Sequence, residues 1–192
     1  MVSLRARVAI GAALSLAAAG GILVAWGSLA TFGSRSNYLQ GTALSAYGPQ
    51  AAGTIGYTHV APGKTYRFSF PVPQNKLDRP IELTGARVEQ IPAGASLVDY
   101  ELYSLKDVGD YPLTYDVTNS ANTDDLLHKK NYIHDRAIIP AHSDSEYWAM
   151  VAIKVTGTVQ QHLKGCVYRY VVGTKHYEQQ FPCEFQLGGE AR

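Results

Sequence analysis

The chain has 192 residues, of which only 17% are charged while 10% are aromatic, and tyrosine alone supplies 13. Its formal charge is +1, and setting aside Arg5 and Arg7 leaves 15 basic residues against 16 acidic. That balance excludes a binder of nucleic acid, which needs a concentrated basic surface, and an apolar content of 46% recurring in periodic blocks excludes intrinsic disorder.

No charge falls between Arg7 and Arg35, and the 23 positions Val8 to Ala30 are almost wholly apolar or small. As a helix they would extend roughly 34 Å, enough to cross a hydrocarbon core of about 30 Å. Residues 1–7 are therefore expected in the cytoplasm and 8–30 as a retained transmembrane helix, a signal-anchor in contact with membrane lipid. The competing reading is a cleaved signal peptide, with Ala17-Ala18-Ala19 as the small-residue site, but the apolar run outlasts an ordinary signal core. Orientation follows from Arg5, Arg7 and the initiating amine on one side against Arg35 alone on the other. Ala13, Ala17, Gly21 and Ala25 would form one smooth stripe, suited to self-association or to a partner helix.

Residues 31–53 are rich in Gly, Ala, Ser and Tyr without sustained periodicity, and read as a linker. The expected extracytoplasmic domain covers 54–188, with 189–192 as a tail. Thr54 to Val60 is a first strand. Tyr66, Phe68, Phe70 and Val72 then alternate with Arg67, Ser69 and Pro71, as in a strand with one wet face. Ile81 and Leu83 open another, whose phase changes across Thr84-Gly85 so that Ala86 and Val88 take over, as a bulge would cause. Val98, Tyr100 and Leu102 mark a further strand, and Tyr111, Leu113, Tyr115 and Val117 the next. Asn119 to Asp125 reads as a surface loop and Tyr132 to Ile139 as a paired segment. Tyr147 to Val155 is apolar on both parities, as expected of a central strand.

A closing hairpin places Cys166, Tyr168, Tyr170 and Val172 on the same face as Tyr177, Phe181, Cys183 and Phe185. A Thr174-Lys175 loop would set the cysteines directly opposite, whereas Gly173-Thr174, better suited to a type II′ turn, would set them on a diagonal. A bulge at Pro182, which cannot donate to the ladder, reconciles the two registers. Cys166 and Cys183 are the only cysteines, and outside the membrane they are expected to form a disulfide. Together the short strands predict a mainly β fold, an antiparallel two-layer sandwich.

No motif assigns catalysis. A Gly-x-Ser-x-Gly elbow and phosphate-binding glycine patterns are absent, and Ala141-His142-Ser143-Asp144-Ser145 gathers Ser, His and Asp only as sequence neighbours. His128, His134, Asp135, His142 and Asp144 would converge on a metal only if their segment folds back on itself; no pattern fixes two ligands on one element. Neither a cofactor nor a catalytic residue is expected.

The turn Pro62-Gly63-Lys64-Thr65-Tyr66 leading into a strand, the strand opening at Pro80-Ile81-Glu82-Leu83, and the Cys-bearing hairpin resemble membrane-anchored immunoglobulin-like sandwich domains of uncharacterised bacterial envelope proteins. The resemblance covers about residues 54–188 and carries no catalytic motif. It implies a non-enzymatic structural or protein-interaction module with an envelope protein partner. The alternative is an envelope domain that binds a metal or small ligand, to be decided by whether His128, His134 and His142 converge.

Overall fold

The computed structural model describes residues 37–47, 54–108, 126 and 128–188. Among them no helix is long and apolar enough to cross a membrane; the run Val8 to Ala30, the strand expected at 111–117 and the loop at 119–125 lie outside the described residues.

The chain is mainly β, and 36–192 forms one compact unit. In chain order its strands are β1 (Leu39–Gln40), β2 (Leu44–Tyr47), β3 (Thr54–Tyr57), β4 (Thr65–Ser69), β5 (Val72–Asn75), β6 (Ile81–Gln90) and β7 (Ala95–Ser104). A single helical turn, α1 (Leu105–Val108), follows, then β8 (Ala137–Ile139), β9 (Tyr147–Val155), β10 (Leu163–Val172) and β11 (Lys175–Leu187). One sheet runs β1-β11-β10-β6-β8, with β3 also on β11; a second is β4-β9-β7, and β2 pairs with β5. Most pairs are antiparallel, but β1 and β3 join β11 in parallel, so the larger sheet is mixed rather than antiparallel throughout.

The two larger sheets enclose a common core. Phe68, Phe70, Ala149, Val151 and Ile153 meet Leu83, Tyr168, Tyr170 and Phe185, all almost fully buried. Phe185 stacks on Phe68 and Phe70 at centroid distances of 5.1 and 5.8 Å. A buried phenol needs hydrogen-bond partners, and the Tyr168 hydroxyl finds them in the opposing layer. It donates to the Pro71 carbonyl (2.9 Å) and accepts from the Ala149 amide (3.2 Å), tying the layers where the chain passes from β4 to β5.

The strand β9 is central, as its double apolar parity predicts. Its outer face carries Trp148 and Met150, which form a second, smaller core with Val72, Tyr103 and Leu126, flanked by Leu105 and Val108. Beside it Arg67 on β4 reaches across β9 to Glu101 on β7, with Nε 3.1 Å from Oε2 and both side chains largely buried. Burial pushes the nearby Tyr103 phenol well above its ordinary range.

Three sequence expectations change. Residues 38–47, expected within a linker, are part of the fold. Leu44 is 1% exposed, and the Gln179 side chain grips its backbone, accepting from Leu44 N at 2.9 Å and donating to Leu44 O at 2.6 Å. The Tyr170 hydroxyl accepts from Ala43 N at 3.2 Å. Val98, Tyr100 and Leu102 mark one strand by their alternation, but the β7 register slips between Leu97 and Asp99, which breaks that alternation and leaves Val98 54% exposed. Of the expected strand Tyr132 to Ile139, only β8 pairs, because Tyr132 and Asp135 form a turn through Asp135 N to Tyr132 O.

The predicted phase change at Thr84-Gly85 is present: Gly85 opposes Arg169 while Leu83 opposes Tyr170, so Thr84 is the extra, exposed residue. The turn after β5 is organised by Asn75, 1% exposed, whose two amide N–H groups reach the carbonyls of Arg79, Ile139 and Pro140 and whose Oδ1 accepts from Leu77 N. Asn75→Ala strands those carbonyls in the interior and should cost about 2–4 kcal/mol in equilibrium unfolding. Asn75→Asp, which turns an acceptor toward three acceptors, should be at least as harmful at neutral pH. A loss within about 0.5 kcal/mol for Asn75→Ala would show that the turn does not depend on this side chain.

Candidate functional site

The closing hairpin sets the geometry of the two groups singled out by sequence. Its turn is Gly173-Thr174, with Val172 opposite Lys175 and Gly173 at φ +63°. Left-handed backbone at the first turn position suits glycine and matches the strand twist. Cys166 consequently lies opposite Phe181, and Cys183 is its diagonal neighbour. Between Lys164 and Cys166 the register slips, so that Gly165 alone opposes Pro182 and Cys183: the bulge falls at Pro182, as its missing N–H requires. Gly165 has φ +76°, and a Cβ there would lie 2.7 Å from a Glu89 carboxylate oxygen. With the register so adjusted, Cys166 and Cys183 lie at disulfide distance, their Cα atoms 5.6 Å apart and both residues buried.

Among the described residues no group of three or more His, Cys, Asp or Glu side chains is placed to hold a metal ion. His128, His134 and His142 are exposed on separate stretches of loop and do not converge. The Ser143 hydroxyl donates to its neighbour Ala141 O at 2.9 Å rather than to a histidine. Asp144 bridges back to Gln74, which fixes the loop against β5.

The residues that do converge are others. His162, which precedes β10, places Nδ1 2.8 Å from Glu184 Oε1 on β11. Lys164 Nζ approaches the same oxygen at 3.6 Å, and the Thr54 hydroxyl donates to Oε2 at 3.4 Å. Burial alone would raise the Glu184 pKa, but the His162 hydrogen bond and the Lys164 charge outweigh it and hold the carboxyl below its ordinary value of 4.5. Being an ionised carboxylate, Glu184 can only accept, so His162 Nδ1 carries the proton. His162 Nε2 is buried and has no hydrogen-bond partner among the described residues. His162, Lys164 and Glu184 line a cleft of about 280 Å³ together with Gln161 and with Gln90, Ile91 and Pro92 at the end of β6.

Sequence reasoning missed this cluster for an identifiable reason. His162 and Glu184 are 22 residues apart, and no alternation or spacing links the two positions. Their meeting depends on the bulge opposite Gly165, whose position was legible but whose effect on neighbouring side chains was not.

No protein family, curated protein or solved structure matches this chain.

A disulfide of this loop length contributes about 3 kcal/mol in the chain-entropy model. Cys→Ala at both Cys166 and Cys183 should lower stability by roughly 2–4 kcal/mol, and the unfolded, non-reduced protein should contain no reactive thiol. Two reactive thiols per chain, with unchanged stability in the double variant, would show that the cysteines are merely small core residues.

Proposed function

We propose that this is a single-pass membrane protein with a cytoplasmic N-terminus, anchored through Val8 to Ala30, whose extracytoplasmic domain is an immunoglobulin-like β-sandwich serving as a non-enzymatic structural or protein-interaction module of the cell envelope. The observation that carries the reading is the pairing of Cys166 with Cys183 at disulfide distance inside a domain that follows an uncharged apolar run. Structural disulfides persist on the oxidising side of a membrane and are rare in the cytosol.

The interaction role is supported by the outer edge of β7. Among the described residues that strand pairs with β9 alone, and beyond Leu102, where Asn131 and Tyr132 cap the backbone, its edge carries the neighbouring exposed side chains Leu97 and Val98, 41% and 54% accessible. Adjacent large apolar side chains at a bulged edge are suited to a protein partner, while the bulge itself discourages continuous strand addition.

Carbonate-washed membranes should retain the full-length chain, and protease added from outside should remove the domain. A photo-crosslinking side chain at position 98 should give a discrete protein adduct in intact cells, and one at position 175, exposed at the hairpin tip of the larger sheet, should not. Recovery of a soluble mature form beginning near Gly20 would replace the anchor by a signal peptide. Equal labelling from 98 and 175 would remove the β7 edge as the docking surface.

A further inference from the structure

We propose that the end of the domain at the β10–β11 turn docks on anionic phospholipid headgroups of the membrane that holds the anchor, through Lys76, Lys175, Tyr38 and Leu39. The inference rests on the anchored reading above, and its test tells the failure of one from the failure of the other.

The docking of residues 38–47 decides at which end the chain enters the domain. β1 runs parallel to β11 with Leu39 opposite Tyr177, so the residues before Leu39 lie toward the hairpin tip. The Tyr38 ring stands edge-on to that of His176, beside the tip, with centroids 6.0 Å apart, and the Arg169 guanidinium covers it at 4.8 Å. Gly41 N donates to Glu178 O at 2.7 Å, and a Cβ at Gly41 would collide with the Tyr170 hydroxyl, so the segment lies tightly against the hairpin. Were 31–53 a free riser, the domain would be joined at Thr54, opposite Glu184. That point is seven residues further along β11 than the partner of Leu39, roughly 23 Å from it at 3.3 Å per residue. Pinned at Tyr38 instead, the domain is separated from Ala30 by the seven residues 31–37. Fully extended these span at most about 25 Å, and the headgroup layer occupies about 5–7 Å of that distance. The hairpin-tip end is therefore the end held close to the membrane.

That end carries the groups a headgroup layer takes. Lys175 in the hairpin turn and Lys76 in the turn between β5 and β6 are exposed and make no ion pair among the described residues. The two turns are neighbours, because Glu82 at the start of β6 lies opposite Val171. Of the carboxylates nearby, Asp78 is matched by Arg79, Glu82 by Arg136, and Glu178 by both Arg87 and Arg169, which leaves Asp144 to set against the two lysines and a positive surplus overall. Ammonium groups donate to phosphate oxygens, while Leu39, 52% exposed, and the amphipathic Tyr38 ring suit the boundary of the apolar layer. Two lysines would hold a free domain weakly. A short tether makes the contact intramolecular and keeps its effective concentration high.

The test places the full chain in lipid nanodiscs of phosphatidylcholine with or without phosphatidylglycerol, with a phosphatidylcholine spin-labelled on its headgroup as quencher. A fluorescent side chain is introduced at position 174, in the hairpin turn, or at 158, in the loop before β10, whose Lys164 lies opposite Glu184 at the other end; both positions are exposed. With phosphatidylglycerol present, quenching at 174 should exceed that at 158 at least threefold. The double variant Lys76→Glu, Lys175→Glu, changed only on exposed turns, should fold normally and at least halve the quenching at 174, and omission of phosphatidylglycerol should do the same. A chain that elutes apart from the discs overturns the anchor and this proposal together. A chain that stays with the discs but is quenched equally at 174 and 158 overturns this proposal alone, as does a preference for 174 that survives either the charge reversal or the omission of phosphatidylglycerol.

Discussion

A strand that is apolar on both faces must be covered twice, and the architecture around β9 answers that requirement. Ala149, Val151, Ile153 and Val155 face the larger sheet and supply the principal core, while Trp148 and Met150 on the other parity require a second cover. The three-stranded sheet is therefore covered along its core face and, at the Trp148–Met150 end, on its outer face as well, while Lys154 at the other end of β9 is exposed. On the outer side the cover is assembled from Val72, Tyr103 and Leu126, with Leu105 and Val108 beside them. Arg67 and Glu101 close over Ala152 as a bidentate pair, so the charged groups that adjoin this face satisfy each other. A shielded pair of this kind adds little net stability but penalises any register in which one partner is missing.

The larger sheet depends on a different device, two bulges that keep its core face continuous. Thr84 absorbs a phase change in β6, and Pro182 absorbs one in β11. Without the first, Ala86 and Val88 would turn outward; without the second, Cys183, Phe185 and Leu187 would lose their alignment with Cys166 and Leu163. The same β11 recruits two short parallel strands along its free edge, β1 near the hairpin tip and β3 near its end. An exposed thirteen-residue edge would be a template for aggregation, and these segments cover part of it.

How far the sequence disclosed this varied with the kind of signal. Alternation over β4, β10 and β11 was legible because each has one face set by burial, β9 was legible as a run apolar on both parities, and both bulges were legible because each leaves a local mark: a parity change at Thr84-Gly85 and a proline that cannot donate. The docking of residues 38–47 was not, since Gln179 and Tyr170 recognise the backbone of Ala43 and Leu44, and backbone recognition imposes no side-chain pattern. Val98 misled because a slip in an edge strand has no cost in hydrophobic pattern when the displaced side chain is allowed into solvent. The His162 and Glu184 pairing was hidden for a third reason: it joins polar positions, and polar positions carry no periodicity. What a reading of residues can supply for such a cluster is the list of titratable groups, while their convergence is a property of the fold.

The central claim is that the doubly covered β9 makes the two sheets and both cores one cooperative unit. Native-state hydrogen exchange under increasing denaturant measures this directly. The amides of Met150 and Val151 on β9 and of Tyr168 on β10 should exchange only through global unfolding, with a common free energy and a common denaturant dependence. Exchange of the β9 amides through a smaller opening, while Tyr168 remains protected to the global limit, would show that the three-stranded sheet opens on its own and that β9 does not unite the fold.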